Sequence, residues 1–303
     1  MNILHISNTH VSGAPGNLSG AINNYTEHES DWLQYRHFDD YDYGMMYLNK
    51  ADVIHWHNGF CSPLYKHSKK KKHVITFHSP PNNEDVLRAL QNIPKCVVRT
   101  VVGQYHACLG VFKNMQVVRN VVDVSKHKSL QPDKSYIHEL CNFIMTPTPT
   151  QEATIWQRKG ETMMKLVFES LVIDYGWRNK ISYRELSQVP FEYALAAKKG
   201  ADVVMDECIT PSYHLSGIEG LALGKPTFCW LDNKVEDMLK RVSGSDVNPF
   251  LGDYVGWLPD IIDDMLKQGR SHLNTLGRDS KKWFDKYWKP QDIVNNFLEI
   301  YNS

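Results

Sequence analysis

The sequence has no C-x-x-C pair, no apolar run near the ~20 residues of a membrane span, no excess of either charge, and no basic segment leading into a long apolar stretch at its start. Each absence removes a class. Six cysteines (Cys61, Cys96, Cys108, Cys141, Cys208 and Cys229) are scattered along the chain, which argues against a zinc knuckle or disulfide framework and makes them expected reduced core thiols. Lysine plus arginine and aspartate plus glutamate both count 34, so the whole surface does not advertise a polyanionic partner. The local exception is Lys69 to Lys72, read as a solvated loop, with a patch for anionic lipid, phosphate or nucleic acid as the alternative. With no transmembrane segment and no secretion-type start, the expected location is the cytoplasm.

What is present is a repeated unit. ILHIS (3–7), DVIHWH (52–57), HVITFH (73–78), CVVRTVV (96–102) and MQVVRNVV (115–122) are β-branched runs with helical stretches between several of them, which spells βα units and a mostly parallel sheet. At 303 residues the chain accommodates two domains of roughly 150. SLQPDKSY (129–136) reads as the linker. Beyond it lie NFIMTP (142–147), a helix from about Gly160, a short strand near 180–183, a helix over 191–199, DVVMDE (202–207), TFCWL (227–231) and a helical tail broken at Lys289-Pro290. The expected division is 1–130 with a last helix, 291–303, packing back on it, and 131–290.

Ligands of such sheets lie beyond the carboxyl ends of the strands. Gly13, Gly16 and Gly20 follow the first run, His55 and His57 sit in the second, and His78 follows the third. In the second half, Ser216-Gly217-Ile218-Glu219 opens a helix after DVVMDE. As a capping box, Glu219 would only satisfy backbone N–H groups. The other reading is that the helix end, at Ser216 and Gly217, suits a diphosphate, with Glu219 in its first turn accepting the vicinal hydroxyls of a ribose.

D-V-V-x-D-x(12)-E-G-L-A-L-G-K-P-T-F, Asp202 to Phe228, resembles the donor-binding region of GT-B glycosyltransferases of family 4. MNILHIS with its glycine-bearing loop, ADVIHWHN, HVITFHS, VVGQYHACL and VVRNVVDV occur in that family's order, and Arg158-Lys159-Gly160 resembles its phosphate-binding element. The resemblance implies an α/β protein of two Rossmann-like domains facing across a cleft, the carboxyl-terminal one holding the nucleotide. It implies sugar transfer from a nucleotide-diphosphate sugar to an acceptor hydroxyl, with retention of configuration. It gives Glu219 the ribose, Lys159 with Arg158 the diphosphate, His78 a place near the transferred sugar, and Gly13 and Gly16 a close backbone approach to the donor. Pro211 stands where the family has the first glutamate of its E-x(7)-E motif.

No cofactor is expected beyond the nucleotide sugar as donor substrate. The expected acceptor is a saccharide or lipid-linked glycan, with modified DNA as the lesser alternative. His55 and His57 alternate on one strand and share a face, but no third ligand is signalled, so no metal is expected. His106 is expected to pack or hydrogen-bond near the cleft, and Trp283, Tyr287 and Trp288 to pack in the core and between domains. Two rival functions keep the fold: a viral-type transferase acting on a modified DNA base, and a protein that binds nucleotide sugars without chemistry.

Overall fold

β-Branched and aromatic runs alternating with helix-forming segments give parallel strands joined by crossovers. The computed structural model describes residues 1–39, 41–134, 140–147 and 160–303. The chain divides into two compact units, Met1–Asp123 with Lys289–Ser303, and Val124–Trp288.

The first unit runs β1 (Asn2–Ser7), α1 (Ala14–Tyr25), β2 (Glu29–Gln34), α2 (Tyr41–Lys50), β3 (Val53–His57), α3 (Ser62–His67), β4 (Lys72–Phe77), α4 (Glu84–Asn92), β5 (Val98–Val102) and β6 (Gln116–Val118). All six strands are parallel, in the order β2-β1-β3-β4-β5-β6. Every residue of β3 is buried, because a central parallel strand is covered on both faces. β2 was not expected: ESDWLQ is mostly polar, and it lies at the sheet edge, paired with β1 alone. β6 is shorter than the apolar run that contains it.

The second unit runs β7 (Cys141–Met145), α5 (Glu161–Ile173), β8 (Ile181–Glu185), α6 (Phe191–Gly200), β9 (Val203–Met205), α7 (Leu215–Ala222), β10 (Thr227–Phe228), α8 (Asn233–Ser243), α9 (Leu258–Lys267) and α10 (Gly269–Tyr287). Its parallel sheet has the order β10-β9-β7-β8. In both sheets the first strand is flanked by the second on one side and the third on the other. The strand order therefore reverses between β1 and β3, and again between β7 and β9; such switch points are where doubly wound sheets open a crevice for ligands. Every residue of α7 is buried. It can lie this close to the sheet because a Cβ on Gly220 would come within 2.4 Å of Thr227 Oγ1, and one on Gly217 within 2.6 Å of Asp206 Oδ2.

α11 (Pro290–Asn302) belongs to the first unit, against α1 and β4. Trp288, just before it, is fully buried in the second unit, stacked on Trp283 at 5.8 Å and edge-on to Tyr213 at 6.1 Å. The linker reading of 129–136 needs correction. The backbone N–H of Asp133 donates to Ala196 O, its carboxylate pairs with Arg184 at 2.7 Å, and Lys199 donates to the carbonyls of Lys128 and Leu130. These bonds fasten 124–134 to the second unit; residues 135 and 136 lie outside the described residues. The cysteine expectation holds for Cys141, Cys208 and Cys229, which are buried, whereas Cys96 is exposed and Cys61 and Cys108 are half-buried. Among the described residues no helix is long and apolar enough to cross a membrane.

Candidate functional site

At the first switch point the parallel register sets His5 beside His55, and Ser7 beside His57 and then Thr76. Registered residues project to one face, so His5 from β1 joins His55 and His57 from β3. His5 Nδ1 lies 2.9 Å from His57 Nε2, and His57 Nδ1 lies 2.9 Å from His78 Nε2. His55 stacks on His57 at 4.2 Å and belongs to a second chain. Its Nδ1 meets Tyr301 Oη at 2.8 Å, its Nε2 meets Thr76 Oγ1 at 2.6 Å, Thr76 Oγ1 meets Thr100 Oγ1 at 2.6 Å, and Thr100 Oγ1 donates to Ile75 O at 3.1 Å.

The second chain has only one proton arrangement. A carbonyl can only accept, so the Thr100 hydroxyl is spent on Ile75 O; Thr76 must then donate to Thr100, His55 must donate from Nε2 to Thr76, and Tyr301 must donate to His55 Nδ1. Burial keeps all four rings neutral. It pushes His5 down to about 3 and holds His55 and His57 well below their usual value, with neighbouring imidazoles adding to the shift. His78 is also lowered to about 3, by burial first and then by His106, against a smaller upward push from Asn120.

The sequence offered two histidines and no third ligand; the fold supplies the third, since nitrogens of His5, His55 and His57 lie within 4.8 Å of one another. These rings do not form a ready metal cage. Both nitrogens of His55 already meet hydroxyls, and the 2.9 Å between His5 and His57 is a hydrogen-bond distance, shorter than the spacing of two nitrogens each ~2.0–2.1 Å from one tetrahedral ion. Asn58, also unanticipated, has φ of 59° and clamps the next loop: its Oδ1 accepts from the His78 backbone at 2.6 Å and its Nδ2 donates to Ser79 Oγ at 3.0 Å. Asparagine tolerates this left-handed conformation better than most residues. Gly13 has φ of 82° and precedes α1, whereas Gly16 leaves room for the ring of Trp32, 3.1 Å from where a Cβ would sit. His106 is buried, 3.4 Å from Phe77 O.

At the second switch point β9 is followed directly by Asp206 and Glu207, both fully buried. Asp206 Oδ2 accepts from the His214 backbone at 2.7 Å, just ahead of α7. Glu207 Oε1 accepts from the backbones of Ile209 and Thr210 at 2.8 and 3.1 Å. Glu207 Oε2, Thr210 Oγ1 and His214 Nδ1 are buried with no hydrogen-bond partner among the described residues. Burial raises the Glu207 carboxyl, against the pull of His214 and the two backbone donors. Gly160 caps α5 with φ of 73°, and a Cβ there would come within 2.2 Å of Ile209 Cγ1, so this loop abuts the residue that follows Lys159 in sequence. Arg158 and Lys159 lie outside the described residues.

The placement of Glu219 is corrected on two counts. α7 begins at Leu215 with His214 as its cap and no side-chain cap bond, so Ser216 and Gly217 are in the first turn and Glu219 in the second. No capping box forms: Ser216 Oγ meets Thr146 Oγ1 at 2.7 Å, at the end of β7. The Glu219 carboxylate instead meets Lys198 Nζ of α6 at 2.5 Å, with side-chain exposures of 10% and 2%. Lys198 gave no sequence signal. It sits in an ordinary AAKKG helix end, and its partner is 21 residues away.

No protein-family model matches the sequence, and no curated protein does either. Solved structures match over the full length. A glycosyltransferase from Rickettsia africae ESF-5 is 13% identical, with 99% of this chain and 97% of that one covered and a TM-score of 0.65. An alpha-glucosyltransferase in complex with UDP-glucose and DNA containing an abasic site is 10% identical, with 100% and 99% covered and a TM-score of 0.68. OtsA in its apo form is 10% identical, with 100% and 99% covered and a TM-score of 0.63. At these identities the likeness is one of fold: this chain has the α/β GT-B fold, built from two Rossmann-like units.

Proposed function

We propose that this chain transfers a sugar from a nucleotide-diphosphate sugar to an acceptor hydroxyl, with retention of configuration, as the family-4 resemblance implies. The observation that carries the reading is the start of α7 at the carboxyl end of β9, at the switch point of a sheet that shares its fold with sugar transferases. The first-turn N–H groups of a helix have no partners within it and sit at the positive end of its dipole. Ser216 and Gly217 therefore offer backbone donors to a diphosphate. Glu219, held by Lys198 through one oxygen, uses the other for the ribose. Lys159 and Arg158 answer the charge that grows on the departing diphosphate, the quantity that must be stabilised in the transition state. That diphosphate takes the acceptor proton on the same face, so no dedicated pair of acid and base carboxylates is required. His78 orients the transferred sugar, and Gly13 lets backbone approach the donor.

A DNA acceptor is the second reading, favoured by two structural neighbours solved with DNA, both at a TM-score of 0.68. The lysine run supports it less than the sequence suggested: Lys71 is spent on the carbonyls of Asn49 and Ala51, and Lys72 on that of Ser303. DNA binding that weakens steeply with salt would favour it; no binding at low salt would favour a glycan acceptor.

A thermal-shift series with nucleoside diphosphates and nucleotide sugars, followed by donor hydrolysis, tests the whole proposal. A ligand at ~100 times its dissociation constant adds ~2.7 kcal/mol of stability. Stabilisation together with slow hydrolysis is expected. Stabilisation without hydrolysis points to the binding-only alternative, and the absence of both overturns the reading.

A further inference from the structure

The His5–His57–His78 chain holds more than a packing arrangement. A neutral imidazole carries one N–H and one lone pair, so two successive ring-to-ring bonds force all three rings into the same tautomer. With protons on Nε2, His78 donates to His57, His57 donates to His5, and His5 Nε2–H is left over. With protons on Nδ1, every bond reverses and His5 Nε2 is a bare lone pair. His5 is fully buried and its Nε2 has no partner among the described residues. Either arrangement leaves one N–H over, on His5 Nε2 or on His78 Nδ1; His5 is fully buried and His78 half-buried, so only at the His78 end can water or a ligand take the leftover donor, which favours the Nδ1–H arrangement.

The same closed end excludes proton conduction. A wire needs an exit, and His5 Nε2 has none. The chain holds a direction and does not pass a proton through.

We propose that His5 and His57 are positioning residues that fix His78 as a hydrogen-bond donor at Nδ1, the atom left unspent at the half-buried end of the chain, for an oxygen of the bound sugar or phosphate. The ligand half of this rests on the reading of His78 given above; the tautomer half does not. His78 Nδ1 is buried and has no hydrogen-bond partner among the described residues, so a ligand oxygen arriving at this edge would complete the last bond of the chain. His55 lies in the middle of the cluster with the opposite tautomer, Nε2–H, dictated by Thr76, Thr100 and Ile75 O, and serves as an internal standard.

The test is nitrogen-15 histidine NMR on the intact protein, with rings assigned by single replacement. His5, His57 and His78 should each show a protonated Nδ1 and bare Nε2, and His55 the reverse. A protonated Nε2 on His78 would overturn the proposal. His5→Phe removes the donor that orients His57, so the His78 signals should move toward the other tautomer, although His5 is two rings away. His5→Asn, which can return an amide N–H near the lost Nδ1, should restore them, and it provides the answer where the Phe variant folds poorly. In turnover, His5→Phe should lower kcat about tenfold, the scale of one hydrogen bond, with KM for the donor unchanged and Asn recovering most of the loss. A switched tautomer with full kcat would overturn the ligand half alone. If the wild-type protein shows no donor turnover at all, it is the proposed reaction that fails, and the NMR result still decides the chain.

Discussion

The two switch points share a strand order and differ in chemistry. In the first unit one face of β1 and β3 carries imidazoles kept neutral by burial, His5, His57 and His78 joined nitrogen to nitrogen. In the second, the corresponding place beside β9 carries Asp206, Glu207, the open end of α7 and, deeper in that helix, the Lys198–Glu219 ion pair. Neutral rings in a dry setting supply direction, since their hydrogen bonds are strong and their charge is suppressed. The N-terminal end of a helix supplies positive potential, which an anionic ligand needs. One fold thus offers an orienting site and a charged site on the same topological feature, and each expected outcome below breaks or sharpens that contrast.

The largest expected effect is acid lability of the first unit. His5, His55, His57 and His78 have folded-state values below the usual 6.5, so between about 3 and 6.5 the unfolded chain binds protons that the folded chain refuses. Stability is complete above about 6.5 and falls as pH drops toward 3, by about 1.4 kcal/mol per pH unit for each ring that stays neutral. Chemical denaturation at pH 7.5, 6 and 5 should show a loss of several kcal/mol. A flat profile would mean that these rings are solvated, and the contrast with the charged unit would disappear.

Next in size is the ion pair. Glu219→Gln leaves Lys198 charged and buried, which costs about 3–5 kcal/mol where a buried pair is broken. Combining it with Lys198→Met removes the stranded charge and should recover most of that stability. Nucleoside-diphosphate affinity should remain weakened in the double variant if Glu219 also serves the ribose, and should be normal if the pair is purely structural. Calorimetry and titration on the same three proteins separate the two roles.

Tyr301→Phe comes third. It strips the donor from His55 Nδ1 inside the first unit, at an expected cost of about 1–3 kcal/mol for a buried acceptor left unpaired. Because α11 is the last helix of the given sequence and Tyr301 is one of its buried anchors, hydrogen exchange should rise in that helix first. Unchanged exchange would show that the apolar contacts of Ile293, Val294 and Phe297 hold α11 without the polar chain.

How much of this could be read in advance follows from whether the signal is local. β1, β3, β4 and β5 announce themselves as runs rich in β-branched residues, and β7 as a largely apolar one, as strands buried in a parallel sheet do; β2, an edge strand of polar composition, does not. α8 went unread although Asp232 caps it through Val235 N and Glu236 pairs with Lys240 four residues on, a signature that local rules can find. The sites are another matter. His55 and His57 are visible as an alternating pair, but His5 joins them only through the parallel register of β1 on β3, and register between distant strands is not written in either strand. Lys198 and Glu219 meet across 21 residues of sequence, one on α6 and the other on α7, which no spacing rule connects. Read as a capping box, Ser216 is the helix cap; the cap is His214, two residues earlier, which is enough to move Glu219 from the first turn to the second.

The smallest effect gives the finest test of the contrast. If the second unit works through helix-end backbone groups, the first-turn side chains should matter little to anion binding. Ser216 is the useful probe, because its hydroxyl is already engaged with Thr146 Oγ1 at 2.7 Å. Ser216→Ala should cost about 0.5–1.5 kcal/mol of stability, the net value of one ordinary hydrogen bond. Thr146→Val should cost a similar amount, and the double variant less than the sum, since both remove the same bond. Affinity for a nucleoside diphosphate should change by no more than about threefold, because the backbone N–H of residue 216 survives the substitution. Gly217→Ala provides the contrast: its added Cβ would meet Asp206 Oδ2 at 2.6 Å and must lift the helix end from the sheet, so affinity should fall although no charge or hydrogen-bonding group has been removed. If Ser216→Ala abolishes binding and Gly217→Ala spares it, the anion is held by a side chain in both units, and the division between an orienting site and a helix-end site is wrong.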